Sequence, residues 1–167
     1  MSALPPGDID AMRGKPLRRT LIAKPLAAPV APPVDTTRRL ATCRCGSVRA
    51  ICTGAPLRVL VNHSPDSQRR SGSAFAVDAR FAQDRVSLDG PTSRWSALEG
   101  DGTRTTYRFC ATCGSTLAYT NDARPGEVAI PVGAFADPQF PPPTVSDWEQ
   151  TRHPWAAITG DTVEHRD

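Results

Sequence analysis

A chain of 167 residues and 17.9 kDa, 39% hydrophobic and 22% charged, has room for one buried core and a tail but not for two domains. Its formal charge of +3 divides into +4 over residues 1–39 and −1 over the remainder, which removes the electrostatic case for a nucleic-acid-binding core. Seventeen prolines and 12 glycines argue against a helix bundle, and no run approaches the ~20 apolar residues that a membrane span requires.

Residues 1–39 contain seven prolines, three of them in the run Ala-Ala-Pro-Val-Ala-Pro-Pro-Val that ends at Val34, and no periodic apolar pattern. A disordered, basic, Pro-rich tail is expected there, either a docking arm or a dispensable extension. Leu21-Ile22-Ala23 runs into Lys24 and Pro25, so the segment lacks the apolar core of a secretory leader and a reducing, cytoplasmic setting is expected. From residue 40 the texture changes to short alternating runs bounded by turn formers, the signature of many brief strands.

Strands are predicted over 48–52, 57–61, 74–81, 86–88, 93–97, 105–109, 116–120 and 128–132. Asp89-Gly90-Pro91, Gly100-Asp101-Gly102 and Arg124-Pro125-Gly126 separate several of them. Short helical turns fit only 66–70 and 147–150. The domain is expected over 40–162, followed by a C-terminal tail at 163–167. Trp95, Trp148 and Trp155, with Tyr107, Phe109 and Phe135, are read first as core aromatics, and otherwise as lids over a pocket.

Two close cysteine pairs stand far apart, Cys43-Arg44-Cys45-Gly46 and Cys110-Ala111-Thr112-Cys113-Gly114. A glycine after the second cysteine of each pair suits a metal knuckle, because the chain there turns to positive φ and nearby amides can point at sulfur. Four thiolates fit one closed, structural zinc with no coordination position left for substrate. The alternatives are a redox Cys-x-x-Cys at Cys110 and Cys113, or free thiols. Cys52 shares a strand face with Val48 and Ala50 and reads as a small buried apolar residue.

With those residues in view, the chain resembles the glutathione-dependent formaldehyde-activating enzyme family, which also includes centromere protein V. The resemblance runs over roughly residues 40–160. It is carried by Cys43-Arg44-Cys45-Gly46-Ser47-Val48-Arg49, by Gln68-Arg69-Arg70-Ser71-Gly72-Ser73-Ala74-Phe75, and by Arg108-Phe109-Cys110-Ala111-Thr112-Cys113-Gly114-Ser115. Val132-Gly133 with Asp137-Pro138, and then Pro154-Trp155, follow in the same order. The resemblance implies a mainly β, compact β-sheet domain stapled by zinc knuckles, with few short helices, and a carbon-sulfur lyase activity on glutathione adducts such as S-hydroxymethylglutathione.

It also implies a second, catalytic zinc, held by three cysteines in a Cys-His-Cys-x-x-Cys segment just before the Arg-Ser-Gly stretch. Here that segment reads Asn62-His63-Ser64-Pro65-Asp66-Ser67, so every thiolate position is replaced while His63 remains. A serine hydroxyl stays protonated near neutral pH and an asparagine amide is a weak neutral donor, so one zinc and a degenerate second site are expected. His63 reads as an exposed or hydrogen-bonded loop histidine, with a half site formed with Asp66 as the alternative; His153 and His165 are isolated. Ser64 and Ser67 lie near His63 but no oxyanion donor pair or orienting group can be identified for serine catalysis.

Arg69, Arg70, Ser71 and Ser73 offer forks and hydroxyls for a small anion or thiol ligand, or else cap a short helix and face solvent. The expectation is therefore a non-catalytic descendant that binds a small thiol, an anion or a partner protein, with no nucleic acid and no membrane. A lyase with an unrecognised ligand set near His63 is the alternative.

Overall fold

Alternating residues bounded by turn formers build two sheets in the computed structural model, which describes residues 35–99 and 102–167. The smaller is antiparallel in the order β1 (Arg38–Thr42), β2 (Arg49–Thr53), β5 (Val86–Asp89). The larger has eight strands. It contains β3 (Arg58–Asn62), β4 (Ala76–Ala82), β6 (Thr92–Leu98), β7 (Arg104–Cys110), β8 (Thr116–Asn121), β9 (Glu127–Pro131), β10 (Val145–Asp147) and β11 (Glu164–His165), in the order β11-β10-β3-β4-β9-β8-β7-β6. Pairing is antiparallel except where β10 lies parallel to both β3 and β11.

One apolar cluster draws on both sheets: Ala41, Ala50 and Cys52 from the smaller, and Val59, Ala79, Phe81, Leu117 and Ile130 from the larger, closed at one end by Phe135 and Phe140. Phe135 and Phe140 stack with centroids 4.5 Å apart. A register shift between Arg108 and Phe109 in the β7–β8 pair breaks the strict alternation of β8, and Leu117 and Ala118 both join the cluster. Cys52 is fully buried, and burial pushes its thiol up to about 11, which makes it an inert apolar filler.

On the opposite face of β4, Asp78 and Arg80 alternate with the core residues Ala79 and Phe81. The single α-helix among the described residues, α1 (Pro65–Ser71), contributes Arg70 to Asp78. Ser64 caps its N-terminus and Gly72, at φ 66°, ends it.

The structure differs from the sequence reading at its margins. The first strand begins at Arg38, two residues inside the expected tail, and the last pairs Glu164 and His165 within the expected C-terminal tail. The expectation for residues 1–34 lies outside the described residues. Instead of a turn over 147–150, Asp147 ends β10 and a 3-10 turn follows at Glu149–Thr151. The tryptophans are not core: Trp95, Trp148 and Trp155 are 59%, 49% and 73% exposed, whereas Phe135 is buried as expected. No helix among the described residues is long and apolar enough to cross a membrane.

Candidate metal centre and ligand cavity

Each cysteine pair sits on a tight turn at the end of a strand. After β1, the Gly46 amide donates to the Cys43 carbonyl at 3.0 Å and the Cys43 amide to the Val48 carbonyl at 3.0 Å. After β7, the Gly114 amide donates to the Cys110 carbonyl at 3.0 Å and the Cys110 amide to the Ser115 carbonyl at 2.9 Å. Gly46 and Gly114 hold φ of 78° and 74°, a region that a side chain would strain. The Arg44 amide donates to the Ser115 hydroxyl at 3.2 Å and ties one turn to the other.

The four sulfur atoms lie within 4.8 Å of one another, with Cys43 to Cys45 at 3.5 Å and Cys45 to Cys110 at 3.6 Å. Tetrahedral zinc with Zn–S bonds of about 2.3 Å spaces its sulfurs by about 3.8 Å, so the cluster fits the ion. Amides point at the sulfurs: Val48 to Cys43 at 3.2 Å and Thr112 to Cys110 at 3.3 Å. The Ser115 hydroxyl and amide bring the Cys113 thiol down to about 5, and the Ser47 hydroxyl brings Cys110 down to about 7. The Ser47 hydroxyl and amide also pull on Cys45, but Cys43, burial and Cys113 together hold that thiol above its ordinary value. Thiolates this close repel, and a dication removes the conflict.

The degenerate segment has found other work. The Asn62 side-chain oxygen accepts from the Ser64 amide at 2.8 Å, and the Ser64 hydroxyl accepts from the Ser67 amide at 3.2 Å. The side chains of Asn62 and Ser64 thus build the entry to α1, where Ser67 contributes only its backbone amide. His63 is fully buried, not exposed, and is hydrogen-bonded at Nε2 to the Ser146 hydroxyl at 3.2 Å. Ser146 donates to Glu149 at 2.6 Å, which the His165 Nδ1 also contacts at 2.6 Å. With its proton committed to Glu149, Ser146 accepts from His63, which fixes the Nε2–H tautomer and leaves Nδ1 bare and buried. Burial lowers the His63 pKa, so the ring stays neutral. His63 is buried whereas Asp66 is exposed and pairs with Arg69 at 3.0 Å, and neither belongs to a group of three or more possible metal ligands among the described residues.

Arg69 is exposed in that pair, whereas Arg70, Ser71 and Ser73 line a cavity of about 760 Å³ bordered by Cys113 and Gly133. Asp78 forms its floor, a residue missed from sequence. Its Oδ2 accepts from the Arg70 guanidinium at 2.7 Å and the Tyr119 hydroxyl at 2.9 Å. Burial nevertheless pushes the Asp78 carboxyl above the usual carboxylate range, and burial followed by Asp78 pushes the Tyr119 phenol up. The available signal was a pair of charges at alternate positions, 78 and 80, of an otherwise apolar strand. His153 bonds Gln68 at 3.1 Å and takes no part in the cavity.

Residues 38–151 match the profile of the family described as glutathione-dependent formaldehyde-activating enzyme, abbreviated GFA. The chain belongs to the GFA family. A crystal structure of a Rhodobacter sphaeroides protein is similar to it at 20% identity, covering 57% of this chain and 85% of that one, with a TM-score of 0.45. No curated protein matches. Within the GFA match, the cysteine turns and the Arg70-Ser71-Gly72-Ser73 segment meet around one cavity, which is where the chain's chemistry concentrates.

Proposed function

We propose that this GFA-family chain is a zinc-stapled, non-catalytic protein that binds a small thiol or anion in the cavity between the cysteine turns and α1. The observation that carries the reading is the employment of the Asn62 and Ser64 side chains as turn and cap groups of α1. Carbon-sulfur chemistry of the family type needs an open metal position that steadies a sulfur or polarises an oxygen. A neutral amide and a hydroxyl turned to backbone amides, with a second hydroxyl at Ser67, offer no thiolate for it. One zinc per chain sits on Cys43, Cys45, Cys110 and Cys113, and a reducing compartment such as the cytoplasm would keep these thiols available for it.

The cavity supplies what a binder needs without a second metal. The Arg70 guanidinium is fixed by Asp78, and the Ser73 hydroxyl, with the Arg44 side chain, offers donors at its wall to a carboxylate or thiolate.

Zinc counting on protein purified without added metal should give one ion per chain, with no turnover of S-hydroxymethylglutathione. Glutathione should bind the intact chain, and Ser73→Glu, which places a negative charge at an exposed part of the wall, should weaken it about five-fold or more. Two ions per chain, or turnover abolished by His63→Ala, would establish the lyase instead.

A further inference from the structure

Arg70 is the wall between two cavities. Beyond it lies a second cavity of about 870 Å³, walled by Trp95 and Leu98 of β6 and by Tyr107 and Phe109 of β7. Arg70, Gly114 and Thr116 line both, so the two are compartments of one cleft. A Cβ placed on Gly114 would meet nothing within 4 Å, which leaves the junction open.

The compartments differ in chemistry. In the second, Trp95 and Tyr107 pair across β6 and β7, their rings near-parallel at 19° with centroids 5.8 Å apart, and Tyr107 continues to Tyr119 at 5.3 Å. The Arg70 guanidinium lies over both tyrosines, at 5.9 and 4.9 Å. These rings are held in place before any ligand arrives, and a preformed apolar wall with a few polar groups is the usual make-up of a small-molecule site. Trp95 and Leu98 are 59% and 67% exposed and both line this cavity, so each adds exposed apolar surface at its wall. Asp66 is neutralised by Arg69, and the Glu99 carboxylate at the rim repels an anion, so a charged head belongs on the other side of Arg70.

We propose that the second compartment seats an aromatic substituent of the same ligand whose polar head occupies the first. The ligand class is then an aromatic thioether of a small anionic peptide. A hydroxymethyl adduct would leave the second compartment empty. This rests on the ligand-binding reading above, and Trp95 and Leu98 become the residues that select the substituent.

The zinc-loaded full chain should be titrated calorimetrically with glutathione, S-methylglutathione and S-benzylglutathione. S-benzylglutathione should bind about ten-fold tighter than S-methylglutathione, equivalent to about 1.4 kcal/mol. Trp95→Ala and Leu98→Asn should each remove most of that preference and leave glutathione affinity unchanged; both residues are exposed, and an unaltered far-UV spectrum and urea midpoint confirm the fold. Equal binding of the two thioethers would overturn the second compartment while the ligand-binding reading stands. If none of the three binds, both readings fall. If Trp95→Ala leaves thioether binding unchanged but converts a dimer to a monomer in sedimentation, the patch is covered by a second copy and the proposal is wrong.

Discussion

The Asp78 carboxylate is the least comfortable group of the cleft. It is 1% exposed, its Oδ2 is held by Arg70 and Tyr119, and its Oδ1 has no partner among the described residues. A buried carboxylate is tolerable when paired, and breaking such a pair by removing one partner costs about 3–5 kcal/mol because the other charge is left without compensation. Arg70→Ala should therefore lower the urea-unfolding free energy by about 3 kcal/mol, given that water entering the cavity relieves part of the penalty. Adding Asp78→Asn should recover at least half of that loss, since the amide carries no charge. A double variant no more stable than Arg70→Ala would mean that Arg70 acts through its stacking on Tyr107 and Tyr119 instead. Neither partnership was legible in the chain. Arg70 and Asp78 are eight residues apart with a strand boundary between them, and Tyr119 comes from another strand altogether.

At the scale of elements, legibility followed periodicity. Strands β2 to β9 were readable because short apolar runs, such as Val59 to Val61, or alternation, such as Ala79 and Phe81 about Arg80, stand between clear turns. Strand β1 begins with two arginines and so looked like the tail's charge, although Arg39 folds back to the Gly54 carbonyl at 2.7 Å. Strands β10 and β11, of three and two residues, are too short for any period, and the parallel pairing of β10 to β3 and of β11 to β10 is imposed by the sheet. The cysteine turns were legible because spacing alone brings two sulfurs onto one turn. At Asn62, Ser64 and Ser67 the resemblance implied only cysteines replaced; the use of the Asn62 and Ser64 side chains at the entry to α1 required coordinates. That use is testable. Ser64→Ala removes an N-cap and should cost about 1 kcal/mol in urea unfolding. The triple variant Asn62→Cys, Ser64→Cys, Ser67→Cys gives up the same caps, yet should raise zinc from one to two ions per chain with the fold intact. A count that stays at one would mean that the cavity wall has been remodelled beyond the three side chains.

The two sheets meet over a core rich in small residues, Ala41, Ala50, Cys52, Ala79 and Ala118 among them, and small side chains bury little apolar area each. The sulfur cluster joins these sheets at one end: Cys43 and Cys45 leave the smaller sheet after β1, and Cys110 closes β7 of the larger. Structural zinc contributes about 10–16 kcal/mol of apparent binding free energy at neutral pH, against a typical folding stability of about 5–15 kcal/mol for a whole domain. A zinc ion on these four sulfurs would thus be comparable to everything else that holds the sheets together. Chelation at pH 7 under reducing conditions should release one zinc and abolish the near-UV signal of the ordered tyrosines and tryptophans. Re-addition of zinc should restore it, and Cys113→Ser should reproduce the chelated state without chelator. A chain that loses its ion yet keeps its near-UV spectrum and its urea midpoint would show that the alanine-rich core suffices, and that the four cysteines serve some purpose other than fastening one sheet to the other.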